Sequence, residues 1–177
     1  MNSNIMSQLL SELEHLPEDE LHHVLGLVRA KKATYHKPLA FIQAIMKFRS
    51  LGKLEDGQYE FEMTVADELL NRYGILHGGL MTAFLDTAMA ETAFLIDTTV
   101  ERAFTLNIHV DFIKPGLPGQ IRAAVEVVQN SKTIIVFHTT AYNEDGEVVA
   151  MAMAHFYKQR HKSPKEDASE VLSASAE

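Results

Sequence analysis

The spacing of apolar residues changes character three times along the chain. Leu9, Leu10, Leu13 and Leu16 fall on one side of a helix, and Pro17 then opens a second helical segment with Glu18, Asp19 and Glu20 in its first turn. Proline suits the first helical position because its missing N–H would have no acceptor there, and acids suit the positive end of the helix dipole. Residues 5–33 are therefore expected to be helical. A further helix is expected from Pro38 to about Ser50, carrying Phe41, Ile42, Ile45, Met46 and Phe48. Together these make residues 1–57 a helical extension.

From Tyr59 the period shortens to two. Tyr59, Phe61, Met63 and Val65 alternate with Glu60, Glu62 and Thr64, the signature of a strand buried on one face. Gly78 to about Ile96 is almost entirely apolar or small and reads as one buried helix. Four strands follow. Phe104, Leu106, Ile108, Val110 and Phe112 alternate with Thr105, Asn107, His109 and Asp111; residues 121–129 and 133–142 form the next two, and Val148 to Tyr157 pairs back across a turn at Asn143 to Gly146. This order implies an α+β domain over residues 58–158, an antiparallel sheet wrapped around a long central helix. A single sheet leaves the other face of that helix uncovered, which predicts a homo-oligomer, a dimer or a dimer of dimers. Residues 159–177, rich in Ser, Ala, Lys and Glu without period, are expected to form a flexible tail.

Composition narrows the chemistry. The 177 residues include no cysteine, which removes disulfides, thiolate metal sites and a cysteine nucleophile together. A net charge of −8 argues against nucleic acid as a partner, because phosphate neutralisation needs a basic surface. With no basic leader and no uninterrupted apolar run of membrane-spanning length, a cytoplasmic protein without a membrane span is expected. No HExxH, GxSxG or phosphate-loop spacing occurs, so neither a metal nor another cofactor is expected.

Two places carry candidate chemistry. Asn71-Arg-Tyr-Gly-Ile-Leu-His77-Gly78-Gly79 leads straight into the apolar helix, where the first amides lack intrahelical acceptors and face developing negative charge. Gly78 is the candidate donor; close packing alone would also explain the glycines. Asp86 lies within the helix, with no Lys or Arg between Arg72 and Arg102 to pair with it and small neighbours beside it. Such an acid points to a functional cavity, although a bond to Thr82, Thr87 or a strand amide would also hold it. Eight residues of helix separate Gly78 from Asp86, about 12 Å. One carbonyl cannot easily meet both, but two antiparallel helices across a two-fold axis would face Gly78 of one chain to Asp86 of the other.

Asn71, Gly74, His77-Gly78-Gly79 and Asp86-Thr87-Ala88, followed by Asp111-Phe-Ile-Lys-Pro-Gly, resemble the PaaI-type hotdog thioesterases over about residues 58–158. The resemblance implies a hotdog fold and hydrolysis of acyl-CoA. By position it implies that the Gly78 amide polarises the thioester carbonyl, that Asp86 is general base or nucleophile, and that Asn71 positions water or carbonyl. His77 would fix the loop, with Gly79 and Thr87 beside the substrate. Thr105 stands where some members orient the water, yet strict alternation puts it opposite the apolar stripe begun by Phe104. Lys114 and Lys132 are candidates for the CoA phosphates, although lysines beside turns are commonly just solvated. His138 and His155 alternate in strands and need no ligand; Glu91 is expected on another helix face than Asp86. Met81, Met89, Met151 and Met153 suit either an adaptable acyl pocket or ordinary core, and Leu39 to Phe48 would supply apolar wall.

Two rival activities fit the same core. Some hotdog modules sense acyl-CoA and regulate transcription through basic N-terminal helices; here residues 1–57 hold seven Lys or Arg against seven Asp or Glu, which disfavours a DNA-reading arm. A hydratase or dehydratase would pair a histidine with a carboxylate, and His77 with Asp86 imitates that pair.

Overall fold

The computed structural model describes residues 2–36 and 40–160; the expectations at Pro38, at Leu39 and for residues 161–177 lie outside them. The chain forms two compact units, Met1–Phe48 and Arg49–Glu177. The first holds α1 (Asn2–Leu13), α2 (Glu18–Ala33) and α3 (Ala40–Ile45). The last of these ends earlier than its apolar pattern suggests. Lys47 adopts φ 50°, and Phe48 N–H closes on the Gln43 carbonyl at 2.9 Å, with Lys47 N–H on Ala44 at 3.2 Å. That is a Schellman stop made without its usual glycine. Ser50 is consequently in a strand, and the sheet begins inside the segment assigned above to the helical extension.

The second unit contains β1 (Arg49–Lys53), β2 (Tyr59–Val65), α4 (Gly78–Ile96), β3 (Val100–Phe112), β4 (Gly119–Asn130), β5 (Ile134–Tyr142) and β6 (Val148–Arg160). The final strand takes in Gln159 and Arg160, which composition had put in the tail. All pairings are antiparallel, in the order β1-β2-β4-β5-β6-β3, so β1 and β3 are the edges. The inner face of this hotdog sheet presents Phe61, Met63, Ile121, Val125, Phe137 and Phe156, all buried. Against it α4 buries Met81, Phe84, Leu85, Ala88, Met89, Thr92 and Ala93. By length and composition α4 could cross a membrane; here the sheet covers that apolar side. Ala150, Ala152 and Ala154 line β6 where the helix approaches.

Alternation misplaces two polar residues. Glu62 belongs to the outer face of β2 but is only 3% exposed, because Arg49 and Arg122 close over its carboxylate from the neighbouring strands. The Arg49 hydrogen bond holds this carboxyl below its ordinary range, against the opposing effect of burial. In β3 the register against β6 slips between Thr105 and Asn107, leaving Leu106 as an extra residue. Phe104 pairs with Tyr157 on the outer face, their rings stacked at 6.4 Å, while Thr105 pairs with buried Phe156 on the inner face. Beyond the bulge, Ile108, Val110 and Phe112 face inward opposite Ala154, Ala152 and Ala150. One extra residue thus reverses the phase of the stripe.

The C-terminal end of α4 is clamped electrostatically. Asp97 accepts from Thr99 Oγ1 at 2.6 Å and N–H at 3.1 Å, and from Arg160 at 2.7 Å. The buried Lys158 ammonium stands 3.9 Å away and donates to Asn130. The Thr99 hydroxyl, then the Arg160 guanidinium, lower the Asp97 carboxyl from 3.8 to about 2; burial lowers the Lys158 ammonium. A depressed carboxyl stabilises the fold above its unfolded value and loses that contribution as pH falls through its folded value. Asp97→Asn is accordingly expected to lower the melting temperature by about 3 °C near pH 7, and the difference from wild type should shrink between about pH 4 and pH 2. Melting curves across that range check it. At the opposite end, a Cβ on Gly116 would lie 3.0 Å from Leu76 Cβ and 3.2 Å from Ile121 Cδ1. Gly116→Ala should cost about 1–3 kcal/mol in urea unfolding, the usual penalty of overpacking.

Candidate active site

The approach to α4 is a closed loop. A 3₁₀ turn, Asp67–Leu69, brings the Leu69 carbonyl to His77 N–H at 3.0 Å. Between them Asn71 N–H donates to Ile75 at 2.8 Å, Gly74 N–H donates back to the Asn71 carbonyl at 2.9 Å, and Gly74 sits at φ 72°. The Asn71 side-chain oxygen accepts from Tyr73 N–H at 2.9 Å, so this residue shapes its own turn.

His77 caps α4. Its Nδ1 accepts from Gly79 N–H at 3.0 Å, which puts the proton of a neutral ring on Nε2. Its carbonyl accepts from Leu80 and Met81 at 2.8 and 3.1 Å. Gly79 suits this cap, since a Cβ would press on Nδ1 at 3.3 Å. Among the described residues nothing accepts from Gly78 N–H. Gly78 also has a packing reason to be glycine, because a Cβ there would lie 3.3 Å from the Phe112 ring. Asn71, Gly78, Met81, Phe112 and Lys114 line a pocket of about 280 Å³ at this end of the helix.

Asp86 does not line that pocket. It lies two turns further along α4, half-buried on the side away from the sheet core, and accepts from Thr105 Oγ1 at 2.7 Å. Its partner is therefore not a helical neighbour: Thr82 and Thr87 both donate to their own helix, to the Gly78 and Ala83 carbonyls at 3.0 and 2.7 Å. Among the described residues the second Asp86 oxygen accepts no hydrogen bond. Among the described residues Thr105, which alternation put on the wrong face, is the one side chain from another element that hydrogen-bonds the acid.

The two lysines separate. Lys114 is ion-paired with Glu147 at 2.6 Å, an interaction that lowers the Glu147 carboxyl. Lys132 follows β4 beside Arg160, which donates to its carbonyl. The first lies near Val149 and the second near Lys158, opposite ends of β6 and about 30 Å apart at strand rise. One chain cannot bring both to the same phosphate. Met151 and Met153 lie on the outer face of β6 and cannot share an acyl pocket with Met81. His155 meets Asn107 at 2.8 Å and His138 stands 3.9 Å from Glu126, so both have ordinary strand partners. Among the described residues no three His, Asp or Glu side chains gather as metal ligands would. Phe112, the ring against Gly78, escaped the sequence pattern because it looked like one more member of an apolar stripe.

Residues 73–150 match the family model of the thioesterase superfamily. The ComA2 protein of Bacillus subtilis strain 168, which bears an esterase name, is 31% identical over 91 residues, 51% of this chain and 72% of that protein. A Bacillus halodurans protein crystallised with CoA superposes with a TM-score of 0.74 at 26% identity, covering 85% of this chain and 99% of its own. That match spans more of the chain than Arg49–Glu177 holds, so it reaches into the helical unit. The PaaI protein of Escherichia coli, 21% identical with a TM-score of 0.60 over 76% of this chain and 94% of its own, shares the fold. Gly78 with its His77 cap, the helix that carries Asp86 and the strand that supplies Thr105 all fall inside the matched segment, and the chain belongs to the thioesterase superfamily.

Proposed function

We propose that this protein hydrolyses an acyl-CoA thioester to the free acid and CoA, in the cytoplasm, as a homodimer or a dimer of dimers and without a metal or redox cofactor. The observation that carries the proposal is the Asp86–Thr105 pair, a half-buried acid of α4 held at 2.7 Å by a hydroxyl of edge strand β3. Thr105 occupies Oδ1 and leaves the other oxygen to take a proton from water. That water attacks the thioester carbonyl carbon, the carbon–sulfur bond breaks, and the CoA thiolate leaves. The Gly78 N–H, at the positive end of α4, stabilises the negative oxygen. Attack by Asp86 itself, through an anhydride that water then opens, uses the same groups.

About 12 Å of helix separates Gly78 from Asp86, so the proposed site takes Gly78 from one chain and Asp86 from its two-fold mate. Edge strand β3 supports this arrangement. Phe112, though inward-facing, is 57% exposed, and Ile113 next to it and Leu106 at the bulge are similarly open. The small residues Gly79, Ala83 and Ala90 lie on the uncovered side of α4 and leave room for a second helix. CoA bound to the Bacillus halodurans protein supports the ligand class.

Thiol release from a panel of acyl-CoA esters tests the activity, and no release from any of them would overturn it. Asp86→Ala should lower the rate at least about 100-fold with the fold intact by circular dichroism. Thr105→Val should cost less, about tenfold, because it removes orientation of the acid but keeps the acid itself. Wild-type turnover in Asp86→Ala would remove the mechanism, and an effect of Thr105→Val as large as that of Asp86→Ala would make Thr105 more than a positioning residue.

A further inference from the structure

Helix α2 has apolar residues on two opposite sides, and only one side is covered. His23, Leu27 and Ala30 are half-buried, and Thr34 just past the end is buried. Leu21, Leu25 and Val28 lie on the other side, 38%, 43% and 55% exposed. Continued a turn each way, the exposed line reads Glu18, Leu21, Leu25, Val28, Lys32. Its alternating spacings of three and four keep one seam of a helix toward a partner helix.

The chemistry of that seam is symmetric about Leu25: an acid at one end, three apolar residues, a base at the other. Laid antiparallel on itself about a two-fold axis at Leu25, it sets Glu18 against Lys32 of the second copy, Leu21 against Val28, and Leu25 against its own equivalent. A parallel pair would oppose Glu18 to Glu18 and Lys32 to Lys32, so the charges select the antiparallel arrangement. An isologous contact of this kind closes on two copies and leaves no sticky end. The need for a partner is also physical. Isolated helices of 12 to 16 residues are marginal in water and draw stability from a packed apolar face. In the same unit α1 exposes Ile5, Met6, Leu9 and Leu10.

We propose that α2 is a self-association surface whose partner is the α2 of a second copy of this chain, paired antiparallel. This contact is separate from the two-fold proposed for the active site and does not depend on thioester hydrolysis.

The absence of cysteine makes the test direct, since any introduced thiol is the only one in the 177 residues. Leu25→Cys is expected to form a covalent dimer under mild oxidation. Gly26→Cys, about 100° around the helix, at a position where an added Cβ meets nothing within 4 Å, should crosslink far more slowly. In the Leu25→Cys background, Glu18→Lys should slow dimer formation about fivefold or more, and adding Lys32→Glu should restore it. Far-ultraviolet circular dichroism of each variant verifies that the helices persist. Equal crosslinking at residues 25 and 26, or failure of the charge swap to restore the rate, would overturn the proposal. Neither result depends on turnover, so it stands or falls apart from the active-site mechanism.

Discussion

A nineteen-residue apolar helix must be covered, and the sheet reaches one side of it. The buried side of α4 supplies Phe84, Leu85 and Met89 to the core and meets a line of alanines on β6, which lets backbone approach backbone. The other side carries Gly79, Thr82, Ala83, Asp86, Thr87 and Ala90, half-buried or exposed. Residues so small cannot build a core of their own. They can tolerate water and can accept a close neighbour, and the half-buried carboxylate among them keeps access to solvent.

The position of that acid depends on both ends of the helix being fixed. At the N-terminal end the His77 cap uses one side chain and one carbonyl to satisfy three amides, and Leu76 N–H donates to the Gly116 carbonyl at 2.8 Å, tying the loop to the turn between β3 and β4. At the C-terminal end Asp97 joins α4 to Thr99 and Arg160. Between these anchors the helix axis cannot slide along the sheet. The 2.7 Å contact from Thr105 then follows from one extra residue in β3, which turns the hydroxyl toward the helix instead of toward solvent.

How much of this was legible depends on how local each cause is. The apolar run of α4, the alternation of β2 and the glycine-bearing approach to Gly78 are written in neighbouring residues, and sequence periodicity places them within a few positions. Asp86 is legible too, as an acid with no cation near it in sequence. The bulge at Leu106 is not, because nothing in the residue itself marks a register slip; only the pairing with β6 reveals it. Strand β1 was hidden because Arg49–Lys53 has no alternation and its helix stop uses Lys47 at positive φ in place of glycine. The burial of Glu62 was hidden because its two arginines come from positions 49 and 122, which only the sheet brings together.

The carboxylates of this fold divide by the kind of partner they have. Glu62 is gripped by the guanidinium groups of Arg49 and Arg122, and Asp97 by the Thr99 hydroxyl and then the Arg160 guanidinium; both are held below their ordinary range, which suits charges that must stay ionised and fixed. Asp86 meets a neutral hydroxyl alone, and among the described residues no Lys or Arg pairs with it. A cation would orient the acid equally well but would stabilise its charged form and so make it less basic. A hydroxyl supplies direction without opposing charge, and it engages only one of the two oxygens. Of these three carboxylates, Asp86 alone keeps one oxygen without a hydrogen-bond partner among the described residues.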